Sequence, residues 1–158
     1  MLSISLFACQ GNGRYPDKQQ GKLKASPSAY EFIDIEGTRH LLKDIRGKYK
    51  LLLFYDPAAV ESQQEIVAMK QSLPLAHLIA SGNVNVLAIC ASGDLSFWST
   101  YQKHIPSRWI NGFDIKGETR MKSYFGINSF PRLVLLDDKN ELVKMAVGHD
   151  SLIVLLEK

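Results

Sequence analysis

Apolar and polar residues alternate with period two along Tyr30-Glu31-Phe32-Ile33-Asp34-Ile35, the pattern of a half-buried strand. Glu36-Gly37-Thr38 follows as a turn. Leu41 to Gly47 reads as a single helical turn closed by Gly47 in a left-handed cap. Leu51 to Tyr55 is apolar on both faces, as expected of a central strand with helices above and below it. Residues 58 to 81 are helical in composition, with an apolar stripe at Ile66, Met69, Leu73, Leu75, Leu78 and Ile79 and with Val67 beside it. Pro74 interrupts that stripe and predicts a kink or a division into two helices, and Gly82 ends it. Val84 to Cys90 is a second buried strand. Asp94 is placed to cap a helix through about His104, and a further helical pattern from Glu118 to Phe125 stops at Gly126. Phe130 to Leu136 and Glu141 to Val147 flank the polar turn Asp137 to Asn140 and predict a hairpin. Asp150 to Lys158 closes the chain as a helix with Leu152, Ile153, Leu155 and Leu156 on its apolar side. The order β–β–α–β–α–α–β–β–α predicts an α/β sandwich around a mixed sheet.

Composition narrows the function classes. At 158 residues the chain fits one domain with a short appended end. A domain of this size buries roughly 68–70% of its unfolded surface and folds without a disulfide. The net charge of +3 is small, and its lysines and arginines are scattered (Lys22, Lys24, Arg46, Lys48, Lys50), which sets nucleic acid aside as a partner. His40, His77, His104 and His149 are isolated from one another. Cys9 and Cys90 form no CxxC and no zinc-ligand spacing, so no metal site and no cofactor is implied.

Leu6-Phe7-Ala8-Cys9 resembles the lipobox of a bacterial lipoprotein, whose cysteine becomes the lipidated first residue. Residues 10 to 28, rich in Gly, Asn, Lys, Gln and Pro, read as a flexible tether, so the expected division is 1–28 and 29–158. Eight residues, none of them Lys or Arg, precede Cys9; a secretory signal runs ~15–30 residues with a basic start. The expectation is a periplasm-facing envelope protein with a membrane tether through Cys9; a stray apolar terminus is the competing reading. No later segment is long enough to span a membrane.

Four pieces of the chain, in order, resemble one family. Leu42-Lys43-Asp44-Ile45-Arg46-Gly47-Lys48-Tyr49 is similar to a lead-in "L-x-D-I-x-G-K-Y". Phe54-Tyr55-Asp56-Pro57 is similar to an "F-Y-D-P" before an active site. Asp94-Leu95 with Trp98, then Trp109-Ile110-Asn111-Gly112, resemble the next helix and loop. Phe130-Pro131-Arg132-Leu133-Val134-Leu135-Leu136-Asp137 resembles a strand opened by a cis-proline. The family is the thioredoxin-like group of Bacteroidetes envelope proteins, related to the TlpA and AhpC (alkyl-hydroperoxide-reductase) groups. The resemblance runs from about residue 28 to the end. It implies a thioredoxin-like three-layer α/β/α sandwich with a central mixed β-sheet.

In that family x-C-x-x-C follows "F-Y-D-P", and the two cysteines fall on Ala59 and Ser62 of this chain. The first cysteine of such a site works as a thiolate, favoured by the helix N-terminus, and the second resolves the mixed disulfide. Ala59 offers no nucleophile, and Ser62 offers a hydroxyl with no histidine near it in sequence. Neither thiol–disulfide exchange nor a peroxidatic reaction is expected here. What the resemblance leaves is a binding surface: Phe130-Pro131, beside the Asp56-Pro57 loop, would receive an extended protein or peptide segment by strand addition. The structural alternative is that Pro131 only shapes the start of a strand and Phe130 packs inward. Cys90, at the end of a buried strand, reads as a small hydrophobe, with a lone reactive thiol as its functional alternative.

Three functions therefore compete: a non-catalytic module binding an extended partner, a thiol:disulfide oxidoreductase whose cysteines at 59 and 62 have been replaced, and a structural domain with an idle groove.

Overall fold

The computed structural model describes residues 26–121, 125 and 127–158. Among the described residues twelve regular elements follow one another: β1 (Glu31–Ile33), β2 (Arg39–Leu41), β3 (Tyr49–Tyr55), α1 (Val60–Gln71), α2 (Leu73–Ala80), β4 (Val84–Cys90), α3 (Leu95–Tyr101), β5 (Ile110–Phe113), α4 (Glu118–Met121), β6 (Arg132–Leu136), β7 (Leu142–Ala146) and α5 (Asp150–Leu156). Short 3-10 turns lie at Pro27–Ala29, Leu42–Asp44 and Gln102–His104.

The strands form one mixed seven-stranded sheet in the order β2-β1-β5-β4-β3-β6-β7. β3 pairs parallel with β4 and antiparallel with β6, and β4 pairs parallel with β5. Strands covered on both faces need not alternate in polarity, and the continuous apolar runs of β3 and β4 occupy these central positions. Leu51, Leu53 and Tyr55 face a core shared with Ile66 and Met69 of α1, Leu75 of α2, Trp98 of α3 and Leu152 and Ile153 of α5. Leu52 and Phe54 face a second core with Tyr30, Leu42, Phe125 and Ile127. Tyr30 and Phe125 pack edge-on, with ring centroids 5.2 Å apart.

Some local expectations hold, the division of residues 58–81 near Pro74 and the Asp94 cap among them, and others are corrected. The stretch 58–81 is two helices that part at Ser72, whose Oγ accepts from Leu75 N–H at 3.3 Å. Pro74 then stands in the first turn of α2, where its missing N–H leaves no intrahelical bond unmade. Leu73 leaves the apolar stripe and is 78% exposed. Asp94 does cap α3, accepting from Phe97 N–H at 2.7 Å, but the α-helix ends at Tyr101 and the 3-10 turn carries on to His104. The turn near Leu42 is a 3-10 turn ended by Ile45, so Gly47 is not its cap. Gly47 is needed for a different reason: its φ is 146°, and a Cβ would stand 2.8 Å from the Asn85 side chain. The expected strand Tyr30–Ile35 shortens to Glu31–Ile33, and its partner Arg39–Leu41 takes in Leu41, expected instead to open a helical turn. β5 was not expected at all. Of the helix predicted from Glu118, only Glu118–Met121 is an observed helix; residues 122–124 and Gly126 fall outside the described residues. Cys9 and most of the expected tether lie outside them as well.

Candidate functional site

The parallel strands β3, β4 and β5 deliver their carboxyl ends to one edge, the side on which open α/β sheets gather their ligands. β3 ends at Tyr55, and Asp56-Pro57-Ala58-Ala59 turns the chain into α1. Asp56 Oδ1 accepts from Ala58 N–H at 2.9 Å, and Asp56 O accepts from Ala59 N–H at 3.1 Å, which fixes this turn. Ala59 is the N-cap residue and has no side chain able to cap the helix. Gln63 Nε2 reaches back to Pro57 O at 2.9 Å.

Ser62 is fully buried, and its Oγ accepts from the Asp56 N–H at 3.1 Å. The hydroxyl therefore locks the strand-to-helix turn rather than facing a substrate. Among the described residues no histidine or carboxylate hydrogen-bonds to it, so nothing activates it as a nucleophile.

β6 runs antiparallel to β3 with Arg132 opposite Phe54, which brings Pro131 and Phe130 alongside Tyr55 and Asp56. The Phe130–Pro131 peptide bond is cis. Pro131 is buried, and Phe130 is half-buried against the second core. Asp56, Pro57, Ala59, Ser62, Phe130 and Pro131, each singled out from the sequence, thus share one end of the sheet.

Residues not foreseen complete this rim. The Arg120 guanidinium lies 5.2 Å from the centroid of the Phe130 ring and donates to Ser92 Oγ at 3.4 Å. Asp114, just past β5, accepts from Glu118 N–H at 3.0 Å and Thr119 N–H at 2.8 Å. A cleft of about 400 Å³ lies there, lined by Ser92, Asp114, Lys116 and Arg120 among others. The only sequence signal for these residues is their place just after strands, and β5 was not legible as one.

Cys90 closes β4 directly beside Tyr55 and is wholly buried. Its thiol donates to Ser92 O at 3.0 Å. Burial pushes its pKa up to about 12, with the Asp56 and Asp114 charges adding to the rise and the Ser92 hydrogen bond opposing it. Buried, and with its thiol hydrogen-bonded to the Ser92 carbonyl, this sulfur stays protonated and packs as a small hydrophobe. Among the described residues no group of three His, Cys, Asp or Glu side chains could hold a metal ion, and no helix is long and apolar enough to cross a membrane.

No protein-family model matches the chain, and no curated protein matches it. Solved structures do. A thioredoxin-like protein from Bacteroides caccae superposes with a TM-score of 0.75 at 23% identity, over 81% of this chain and 46% of its own, so this chain spans about half of that protein. The thioredoxin domain of a thiol-disulfide oxidoreductase from Bacteroides vulgatus gives 0.67 at 20% identity, over 84% of this chain and 96% of its own. A thiol:disulfide interchange protein from a Bacteroides species gives 0.69 at 20% identity, over 84% and 86%. Likeness at this level of identity speaks to architecture, and on it the chain has the thioredoxin-like fold.

Proposed function

We propose that this chain is a redox-inactive thioredoxin-like module that binds an extended peptide or protein segment across Phe130-Pro131, and that it works at the bacterial envelope, tethered through Cys9. The observation that carries this reading is the pairing of a cis Phe130–Pro131 edge with a helix N-terminus holding Ala59 and a buried Ser62. The edge can meet a strand through backbone hydrogen bonds, while the position of the attacking sulfur is a methyl group. Cys90 offers no substitute thiolate.

Insulin reduction by dithiothreitol tests it. The protein as it stands should not accelerate precipitation of the insulin chains, whereas Ala59→Cys/Ser62→Cys should, because the scaffold is competent and lacks only its sulfur. Adding Phe130→Asp to that pair should slow it by about tenfold, the effect of placing a charge where an extended segment docks. Activity in the unaltered protein, or indifference of the paired variant to Phe130→Asp, would overturn the reading.

A second reading is favoured by the thiol-disulfide oxidoreductases among the similar structures. In it the chain is such an oxidoreductase with its cysteines at 59 and 62 replaced. A natural coding sequence with cysteine codons at both positions would decide for it.

A further inference from the structure

A second cleft lies at the far end of α1, ten residues or about 15 Å along the helix from Ala59. It opens between α1, α2 and the loop that leads into β5, and its volume is about 410 Å³. That size suits a small organic ligand. Its floor is apolar: Met69 and Trp109 are buried, and Ile79 packs partly against the core. Its rim carries Lys70 and Arg108, and no carboxylate lines it.

Both cations are uncommitted to any anion. Lys70 Nζ donates only to the His104 carbonyl, at 3.4 Å, and neither Lys70 nor Arg108 forms an ion pair among the described residues. Three other clefts among the described residues differ: two are lined by a carboxylate, and one carries no charge. In the one beside Phe130, Lys116 is bound to Glu31 at 3.0 Å and Asp114 is satisfied by two backbone N–H groups. In the one beneath the β1–β2 turn, Asp34 is held by Thr38 N–H and His40. The shallow face of α1 between Val60 and Gln71 carries no charge.

We propose that the Met69–Trp109 cleft is a binding site for a small amphipathic carboxylate, with its apolar body on Met69, Ile79 and Trp109 and its carboxylate between Arg108 and Lys70. The guanidinium supplies two parallel N–H donors that match a carboxylate, and the ammonium adds a second positive charge. The site is independent of the reading given to Phe130-Pro131.

Trp109 makes the proposal directly measurable, because its indole lines this cleft, while the other tryptophan, Trp98, packs against Phe113 and lines the separate cleft beneath the β1–β2 turn, so that Trp109→Phe tells the two apart. Tryptophan fluorescence is followed during titration with octanoate and, separately, with 1-octanol, which has the same chain without the charge. Octanoate should bind saturably with a Kd between roughly 50 µM and 1 mM, the range open to a ligand of this size. Lys70→Ala/Arg108→Ala should weaken octanoate by about tenfold or more and leave octanol unchanged. Both side chains are exposed, so this variant keeps the fold, which its circular dichroism checks. The fluorescence change should vanish in Trp109→Phe, and the Met69 methyl resonance supplies a second readout should that variant fold poorly. Equal affinity for octanoate and octanol, an unaltered affinity in the double variant, a signal that persists in Trp109→Phe, or no saturation up to about 10 mM would each overturn the proposal.

Discussion

Ser62 and Cys90 show how burial decides what a reactive atom does. Each stands where the sequence invites a functional reading, and each is turned inward. Ser62 holds the backbone of Asp56, and the Cys90 thiol donates a hydrogen bond to the Ser92 carbonyl. For Cys90 a direct outcome follows. Alkylation by iodoacetamide at pH 8, read by mass spectrometry of the Cys90 peptide, should be at least ~100-fold slower in the folded protein than in urea, since only thiolate reacts. Comparable rates would mean that β4 opens at its end. Ser62→Ala should cost about 1–2 kcal/mol in urea unfolding, because it leaves the part-buried Asp56 N–H without its acceptor. Cysteine 90 was legible from the apolar run Val84 to Ile89 that carries it. The partner of Ser62 was not, because a hydrogen bond from a helix back to the preceding loop leaves no periodic trace.

Between elements, one carboxylate adds a polar link to the apolar packing of α1 and α5. Glu65 Oε1 accepts both the His149 N–H and, from the ring, His149 Nδ1, each at 2.8 Å. His149 is buried. Glu65→Ala should destabilise the fold by about 1–3 kcal/mol, since two buried donors lose their acceptor. Glu65→Gln, which keeps an acceptor oxygen, should recover part of the loss; equal losses would show that shape rather than hydrogen bonding holds this junction. Elements themselves were readable where one rule governs them. β3, β4, the β6–β7 hairpin and α5 follow from apolar runs, a polar turn and helical spacing. β5 escaped because Ile110-Asn111-Gly112-Phe113 has neither length nor alternation. It is a strand only because β4 and β1 flank it, and Gly112 is required because a Cβ would strike the Phe32 ring and come within 2.9 Å of Ile89.

Across the whole molecule, charge ties the outer half of the sheet together. Glu31 on β1 pairs with Arg39 of β2 and with Lys116 beyond β5, at 3.0 Å each. The hydrogen bond from Lys116, with help from the charges of Lys116 and Arg39, holds the Glu31 carboxyl below its ordinary 4.5. A carboxyl lowered in the folded state stabilises the fold above its unfolded value, and that contribution is lost as the pH falls through the folded one. The gap in urea midpoint between the unaltered protein and Glu31→Gln should therefore be present at pH 7 and close below pH 4.5. It should also shrink in about 1 M salt, as an exposed pair is screened. A gap independent of pH would assign the effect to packing alone.

The sequence by itself determined the fold class, the two central strands, the capping of α3, the division near Pro74 and the absence of any CxxC pair from the chain. These depend on residue identity and on periodicities of a few residues, which no distant contact needs to supply. Only the tertiary structure decided that Leu41 belongs to a strand, that residues 110–113 complete the sheet, that Ser62 faces inward, and that Arg120 covers Phe130. It alone brought Lys70 and Arg108 over one apolar floor. Each of these rests on partners far apart in the chain, whose meeting is fixed by how the sheet and its helices pack.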